Sequence, residues 1–345
     1  MPHTLMFTGD VNLMNVTRPD APFVRVKPVL DQADVLFGNL ECCFHQPAGS
    51  RSVNDEGFYA APGMVEALKF AGYDAVGTAN NVNYGSEAIL SSLRELDRVG
   101  IPHTGSGANR DAARAPAIVE AGGVRYGFLQ RTSVYWPTNH EAGEHSAGVA
   151  ALKGHTAYHL PLHKLRPEIP PANRPGVPPL IMTWTDPAYL AQLRADIEAL
   201  RAKVDVVVAS HHWGLLEDVL DYMTETAHAA IDAGADIVVG HGPHYSLPVE
   251  VYKGKPIFYG LGSFSFHTGH YGRKHGDWVG MLASVVMDGR TVKEAGFRLV
   301  RHNADNETYC CDLAQEGVAL AGIERRTTAL GTKLAIGADE VKLVF

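Results

Sequence analysis

Short apolar runs rich in β-branched residues recur along this 345-residue chain, and each stops at a polar residue. Val204 to Ala209 and Ile237 to Val239 are the clearest of them. Such runs favour buried strands. Between them lie stretches with apolar residues at spacings of three and four, over Pro62 to Ala71, Ser86 to Val99 and Pro187 to Arg201, which predict amphipathic helices. Strand alternating with helix predicts an α/β domain.

The ends of the runs carry the chemistry. His3 to Thr8 is closed by Gly9-Asp10, Asp34 to Gly38 by Asn39-Leu40-Glu41, and Tyr73 to Thr78 by Ala79-Asn80-Asn81. Val204 to Ala209 gives way to Ser210-His211-His212-Trp213-Gly214, and the last run to His241-Gly242-Pro243-His244. Any one of these alone is an ordinary loop residue. Their repetition at successive strand ends predicts convergence at one rim, where open α/β sheets place their sites. Asp10, Glu41, Asn81, His212, His241 and His244 together supply two carboxylates, an amide oxygen and three imidazoles. Mixed oxygen and nitrogen donors suit one or two divalent transition-metal ions (Zn, Mn, Fe or Co) better than Ca or Mg.

Composition narrows the class. With 46% hydrophobic and 20% charged residues the chain is globular, and a net charge of -8 without basic clusters argues against nucleic-acid binding. There is no Walker A sequence and no G-x-G-x-x-G, so hydrolysis of a small-molecule substrate is the more economical expectation. No run of 18 apolar residues and no basic-then-apolar leader is present, which sets the expectation of a cytoplasmic protein with no membrane partner. The cysteines, Cys42-Cys43 and Cys310-Cys311, read as reduced thiols.

Residues 132–185 follow another pattern. They hold His140, His145, His155, His159 and His163 and a proline-rich run from Pro161 to Pro179, without sustained period. The expectation is an irregular insertion over the face of a domain spanning 1–300, serving as a functional loop, a surface insertion or a contact in a homo-oligomer. Residues 301–345 read as an extension packed on that domain, with a helix at Leu313 to Leu320.

Several motifs carry a resemblance: Gly9-Asp10, A-D-V-L-F-G-N-L-E (33–41), A-G-Y-D-A-V-G-T-A-N-N (71–81), G-I-P-H-T-G-S-G (100–107), H-W-G (212–214), and G-H-G-P-H (240–244) running into K-G-K-P-I-F-Y-G-L-G-S-F (253–264). In order and spacing the chain resembles the bacterial CapA family (poly-γ-glutamate capsule biosynthesis protein) of the calcineurin-like metallophosphoesterase superfamily. The resemblance implies a four-layer fold, two sheets flanked by helices, with a metal site at the strand ends. It implies Asp10 as the first metal aspartate, Glu41 as the bridging acid, Asn81 as the amide ligand, and His212, His241 and His244 as histidine ligands.

Two departures are visible. Asn12 stands where many superfamily members carry a histidine ligand, and Val82 stands where the family commonly has the histidine of N-N-H, the general acid. Candidates to replace that acid are His211, Glu217 and His45, with His267, His270 and His275 from the loops. The implied function is a metal-dependent hydrolase of a small anionic or amide-, lactam- or ester-containing molecule. The alternatives are a phosphoesterase, a γ-polyglutamate synthesis or hydrolysis protein, and a non-catalytic metal-binding member. Arg25, Arg51, Arg131 and Lys274 are candidates for recognising an anion. Trp136, Trp184 and Trp213 read as packing residues, Trp213 also as a candidate pocket wall.

Overall fold

The structure, a computed structural model, describes residues 2–47, 57–159, 178–269 and 278–345. Arg51, His163, His270, Lys274, His275 and most of the proline-rich run fall outside the described residues.

Two large sheets face one another. In the first, the strand His3–Asn12 lies at the centre, parallel to Val35–Leu40 on one side and antiparallel to Gly280–Asp288 on the other. Ala75–Gly77 and His103–Thr104 continue one wing; Thr291–His302, Val341–Val344 and Lys333–Ile336 continue the other. The second sheet places Val206–His212 between Val124–Thr132 and Ile237–His241, all parallel, with Ala117–Ala121 at one edge and the hairpin of Val249–Tyr252 and Lys255–Phe258 at the other.

The inner faces of the two sheets fill a single apolar layer. Leu5, Phe7, Val35 and Phe37 come from one sheet, and Phe128, Val206, Val208, Ile237 and Val239 from the other. Phe37 and Phe128 stack with ring centroids 4.7 Å apart. Strands buried on both faces read as continuous apolar runs instead of alternating ones, which is why Val206–Ala209 and Ile237–Val239 show no period of two. Outside the first sheet, the helices Val65–Ala71 and Ser86–Val99 bury Leu68, Ile89, Leu93 and Leu96. Outside the second, Pro187–Arg201 and Asp221–Asp232 bury Leu193, Ile197, Met223 and Ala230. The order helix, sheet, sheet, helix is the four-layer α/β sandwich that the resemblance implied.

The C-terminal residues take part in the first sheet. Val341–Val344 pairs antiparallel with Thr291–His302, and the helix there spans Gly317–Ala329, with only a 3-10 turn at Leu313–Gln315. The described part of residues 132–185 is less irregular than expected. It includes the antiparallel pair Gly154–His159 and Leu180–Thr185, a length too short to register as a pattern between prolines. All four cysteines are free thiols. No helix among the described residues is long and apolar enough to cross a membrane.

Arg131 is committed to the architecture. It is 3% exposed, and its Nη2 donates to Asp196 at 2.7 Å, while Arg114 Nη2 donates to the same carboxylate at 2.6 Å. Arg25 packs over the ring of Tyr309. Burial by itself would raise the Asp196 carboxyl, but the hydrogen bonds and charges of Arg114 and Arg131 outweigh it and hold it below its usual range. A carboxyl depressed in the folded state stabilises the fold above its unfolded value, and that contribution vanishes as the pH falls through the folded value. Asp196→Asn is therefore expected to cost about 3 kcal/mol at neutral pH, leaving Arg131 buried without its countercharge. Urea unfolding at pH 6 and pH 3 checks this: the wild-type midpoint falls on acidification by more than the variant's.

Candidate metal centre

The ends of five strands meet at one rim of the sandwich. The strand carrying Asp10 does not stop at Thr8 as the sequence predicts. Its register slips by one residue between Thr8 and Asp10 against Val35–Leu40, and beyond that irregularity Asp10 pairs with Asn39 and Ser263. This bulge re-aims the carboxylate at the rim, a common use of bulges beside functional sites. Glu41 follows directly after Val35–Leu40. His212 and His241 are the last residues of adjacent parallel strands and sit opposite one another in register, so their side chains share a face.

Past His241 the chain turns sharply. A Cβ on Gly240 would lie 2.1 Å from the Tyr259 carbonyl oxygen, and one on Gly242 would lie 3.0 Å from His212 Nε2. Both glycines of G-H-G-P-H are thus required by close approach. His244 adopts a left-handed backbone (φ 62°), a strained conformation for a residue with a side chain. That turn brings the imidazole back over the carboxylates.

Five of the six sequence candidates come together. His244 Nδ1 is 3.0 Å from Asp10 Oδ2, and its Nε2 is 3.8 Å from Glu41 Oε1. His241 Nδ1 is 3.6 Å from Asp10 Oδ1, and His212 Nε2 is 3.7 Å from Glu41 Oε1. Asp10, Glu41, His212 and His241 are all buried, whereas the His244 side chain is 28% exposed and forms the mouth. The sixth, Asn81, is half-buried. Its backbone oxygen accepts from Trp136 Nε1 at 3.0 Å, and its side chain makes no hydrogen bond among the described residues. Trp136 therefore walls the rim near Asn81, whereas Trp213 is fully buried with its Nε1 on the Tyr259 carbonyl.

Supporting residues that the sequence reading overlooked fix this geometry. Asn39 Nδ2 donates to Asp10 Oδ1 at 2.9 Å, and Asn39 Oδ1 accepts from Asn80 Nδ2 and Gln130 Nε2, each at 3.2 Å. Thr132 is more telling. Its hydroxyl has one proton, which goes to the Val134 carbonyl at 2.7 Å. The 3.0 Å contact with His212 Nδ1 must then be a donation from the ring. His212 is thereby fixed as the Nδ1–H tautomer, with the Nε2 lone pair facing Glu41. The signal in the sequence is the polar run Gln130-Arg131-Thr132, which closes the apolar part of the strand Val124–Thr132.

The structure scatters the proposed acids it describes, and of them Glu217 lines the cleft that holds His244. His211 pairs in register with Gly240, on the opposite face from His212, and its ring stacks on Trp213 at 4.7 Å. Strand alternation makes this unavoidable for two consecutive residues. Burial, with Arg131 and His241 nearby, pushes its pKa down to about 3. His45 packs edge-on against Tyr59, 5.6 Å between ring centroids. Glu217 pairs with Arg326 at 2.6 Å on the wall of a cleft of about 940 Å³ that also includes His244. His267 follows Phe266, the register partner of Asn12. Val82 itself is buried in the apolar layer under the first sheet's helices. Asn12 is spent locally: its Nδ2 donates to the Thr268 carbonyl and its Oδ1 accepts from Met14 N.

Electrostatics agree with a cation site. Burial by itself would raise the Asp10 carboxyl, but His244, with the charges of His241 and His212, holds it well below the usual range. Glu41 goes the other way, raised by burial and by the Asp10 charge. Burial pushes His212 and His241 down to about 4, so both are neutral imidazoles. For His244, burial is overcome by Glu41 and Asp10, which raise it to about 9. His212 Nε2 and both ring nitrogens of His241 are buried without a hydrogen-bond partner, a costly arrangement for a protein to keep. Two donors each about 2.1 Å from a shared ion at a tetrahedral angle stand roughly 3.4 Å apart, close to the 3.6 Å and 3.7 Å separations here. Asp10, Glu41 and His244 by themselves present donor atoms all within 4.8 Å of one another. The residues fit a divalent transition metal.

Comparison with known proteins points the same way. The family model for bacterial capsule synthesis protein PGA_cap matches residues 4–268. The chain is 29% identical to the uncharacterized protein y4sH of Sinorhizobium fredii over 76% of its own length and 66% of that protein's. It is 29% identical to the PGA biosynthesis protein CapA of Bacillus subtilis over 72% and 58%. The chain thus spans under two thirds of the length of either. A crystal structure of a hypothetical protein from Thermus thermophilus superposes with a TM-score of 0.51 at 13% identity, over 87% of this chain and all of that one; it shares the fold.

Thr132→Val keeps the shape and removes the acceptor that sets the His212 tautomer. A partner of this kind behind a ligand histidine is worth about 10- to 100-fold in metal affinity. Competition with a chromogenic chelator should give a loss of that size with the circular dichroism spectrum unchanged.

Proposed function

We propose that this chain, which belongs to the bacterial capsule synthesis protein PGA_cap family, a metallophosphoesterase-like family, is a metal-dependent hydrolase acting on a small anionic or amide-, lactam- or ester-containing molecule. The observation that carries this reading is the set of buried, partnerless imidazole nitrogens on His212 and His241, aimed at two carboxylates of opposite titration behaviour. A structural role needs no such convergence.

The residues divide the work. Asp10, Glu41, His212, His241 and His244 would hold one or two ions, with Asn81 offering a free amide at the rim. A divalent ion bound there lowers the pKa of water and stabilises the oxyanion that develops on the substrate. Asn39 keeps Asp10 oriented through its 2.9 Å hydrogen bond, and Thr132 holds the His212 lone pair inward. His244, partly in solvent at the cleft, meets the substrate first. With Asn12 committed to Thr268 and Met14, one position of the two-ion arrangement has a ligand fewer.

The buried Val82 supplies no proton to a leaving group, and His211 faces away from the site. The preferred substrates are then those whose leaving group departs unprotonated. A phosphoesterase restricted to good leaving groups is consistent with this, and so is hydrolysis of an activated ester or lactam. A second reading, a non-catalytic member that binds metal without turning over, is favoured by the same Val82 and by the committed Asn12.

Two measurements decide. Elemental analysis after metal-replete purification should give at least about one ion per chain, and His241→Ala should reduce it sharply; a metal-free wild-type protein would sink the hydrolase reading. Across aryl and alkyl phosphoesters, carboxylic esters and lactams, with and without chelator, kcat/KM should fall steeply as leaving-group pKa rises. No chelator-sensitive turnover on any of the panel would favour the non-catalytic reading.

A further inference from the structure

Trp136 stands at the rim on a short loop that is tied to the metal centre at both ends. The loop leaves the strand Val124–Thr132, and at its start Ser133 N donates to the His212 carbonyl at 2.9 Å. Three residues on, Trp136 Nε1 donates to the Asn81 carbonyl at 3.0 Å. Residues 133–136 therefore bridge from one candidate ligand residue to another.

Hydrogen bonds lock the indole in place. Trp136 N donates to His140 Nδ1 at 3.1 Å, which leaves that nitrogen without a proton, and His140 Nε2 donates to the Asn83 carbonyl at 2.8 Å. His140 is fully buried, so it pins the loop of Trp136 to the loop of Asn81 from behind. Tyr84 braces both, edge-on to Trp136 with ring centroids 6.3 Å apart and edge-on to His140 at 5.1 Å. A tryptophan that only packs is drawn well out of water. Trp136 is 39% exposed, yet both of its donors are spent on the scaffold. Its exposed part offers a ligand apolar ring surface and nothing else.

Two kinds of group favour such a surface, planar apolar groups and cations. A cation would have to settle beside a bound divalent metal, whose charge repels it. A planar apolar group meets no such penalty. It also meets the demand set by the buried Val82, because an aryl oxide is a far weaker base than an alkoxide and departs without a proton. On the metal-dependent hydrolase reading, on which this rests, we propose that Trp136 is a specificity-determining residue, a shelf for an aromatic leaving group, and that the substrates are aryl esters. A water oxygen bonds to the phosphorus or carbonyl carbon and gives its proton to solvent. The bond to the aryl oxygen breaks, and the aryl oxide leaves with the electron pair.

Isothermal titration of the metal-loaded whole protein with phenylphosphonate and methylphosphonate tests this. Neither probe has a leaving group, so recognition of the ring is read apart from leaving-group reactivity. Wild type should bind phenylphosphonate about 10-fold more tightly than methylphosphonate. Trp136→Ala should bring the two affinities together at unchanged metal content. Trp136→Phe, which keeps a ring but has no N–H for Asn81, should retain most of the preference. Equal affinities in metal-loaded wild type, or no binding of either probe, overturn the shelf while the metal site stands. A preference lost as completely in Trp136→Phe as in Trp136→Ala overturns it too, making Trp136 a brace for Asn81. The comparison within wild type decides even where a variant fails to fold. A wild-type protein that holds no metal overturns the hydrolase reading and the shelf together.

Discussion

Two buried carboxylates and two buried imidazoles sit side by side beneath a third imidazole at the mouth, and most of the local architecture exists to keep them there. Asp10 and Glu41 are fully buried and close enough that ionising one raises the other. Charges removed from water need partners, and here His244 lies 3.0 Å from Asp10 while the neutral His212 and His241 turn unpartnered nitrogens toward the same pair. The bulge at Asp10, the close-approach glycines after Val239 and the left-handed His244 all serve that meeting. So does the Asn39–Gln130–Ser210 hydrogen-bond chain beneath it. A fold free of this cluster could dispense with each of these departures from regular geometry.

The apolar layers were the most legible part of the sequence. Val206 to Ala209 and Ile237 to Val239 are continuous because both faces of their strands are covered, and Leu193 and Ile197 mark the helix that covers one of them. What the sequence blurred was where strands end. Asp10, His212 and His241 were read as lying just past their strands, yet all three are paired residues within them. Polar residues at a rim look like loop because hydropathy drops before the hydrogen-bond ladder does.

Consecutive residues caused the other errors. His211 and His212 differ by one position in sequence and by a whole face of the sheet in space, so one joins the carboxylates and the other stacks on Trp213. Asn80 and Asn81 divide similarly: the first ties Asn39 to the backbone of Leu40 and Asn83, and the second is left with a free amide. Pattern alone could not tell donor from scaffold at either pair. Arg131 was the reverse case, a cation with the look of an anion receptor, bound instead to Asp196 behind the sheet. The strand pair of Gly154–His159 and Leu180–Thr185 escaped notice because a long proline-rich segment separates the two in sequence.

The central strand of the first sheet has a consequence for how the protein is made. His3–Asn12 pairs with Val35–Leu40 early in the chain but also with Gly280–Asp288 near its other end. On a ribosome, the strand that bears Asp10 emerges long before Gly280–Asp288 and waits with one edge open. Long-range strand pairing is slow and exposes the chain to mispairing in the interval. Asp10 is thus made well before the strand that closes the other edge of its own.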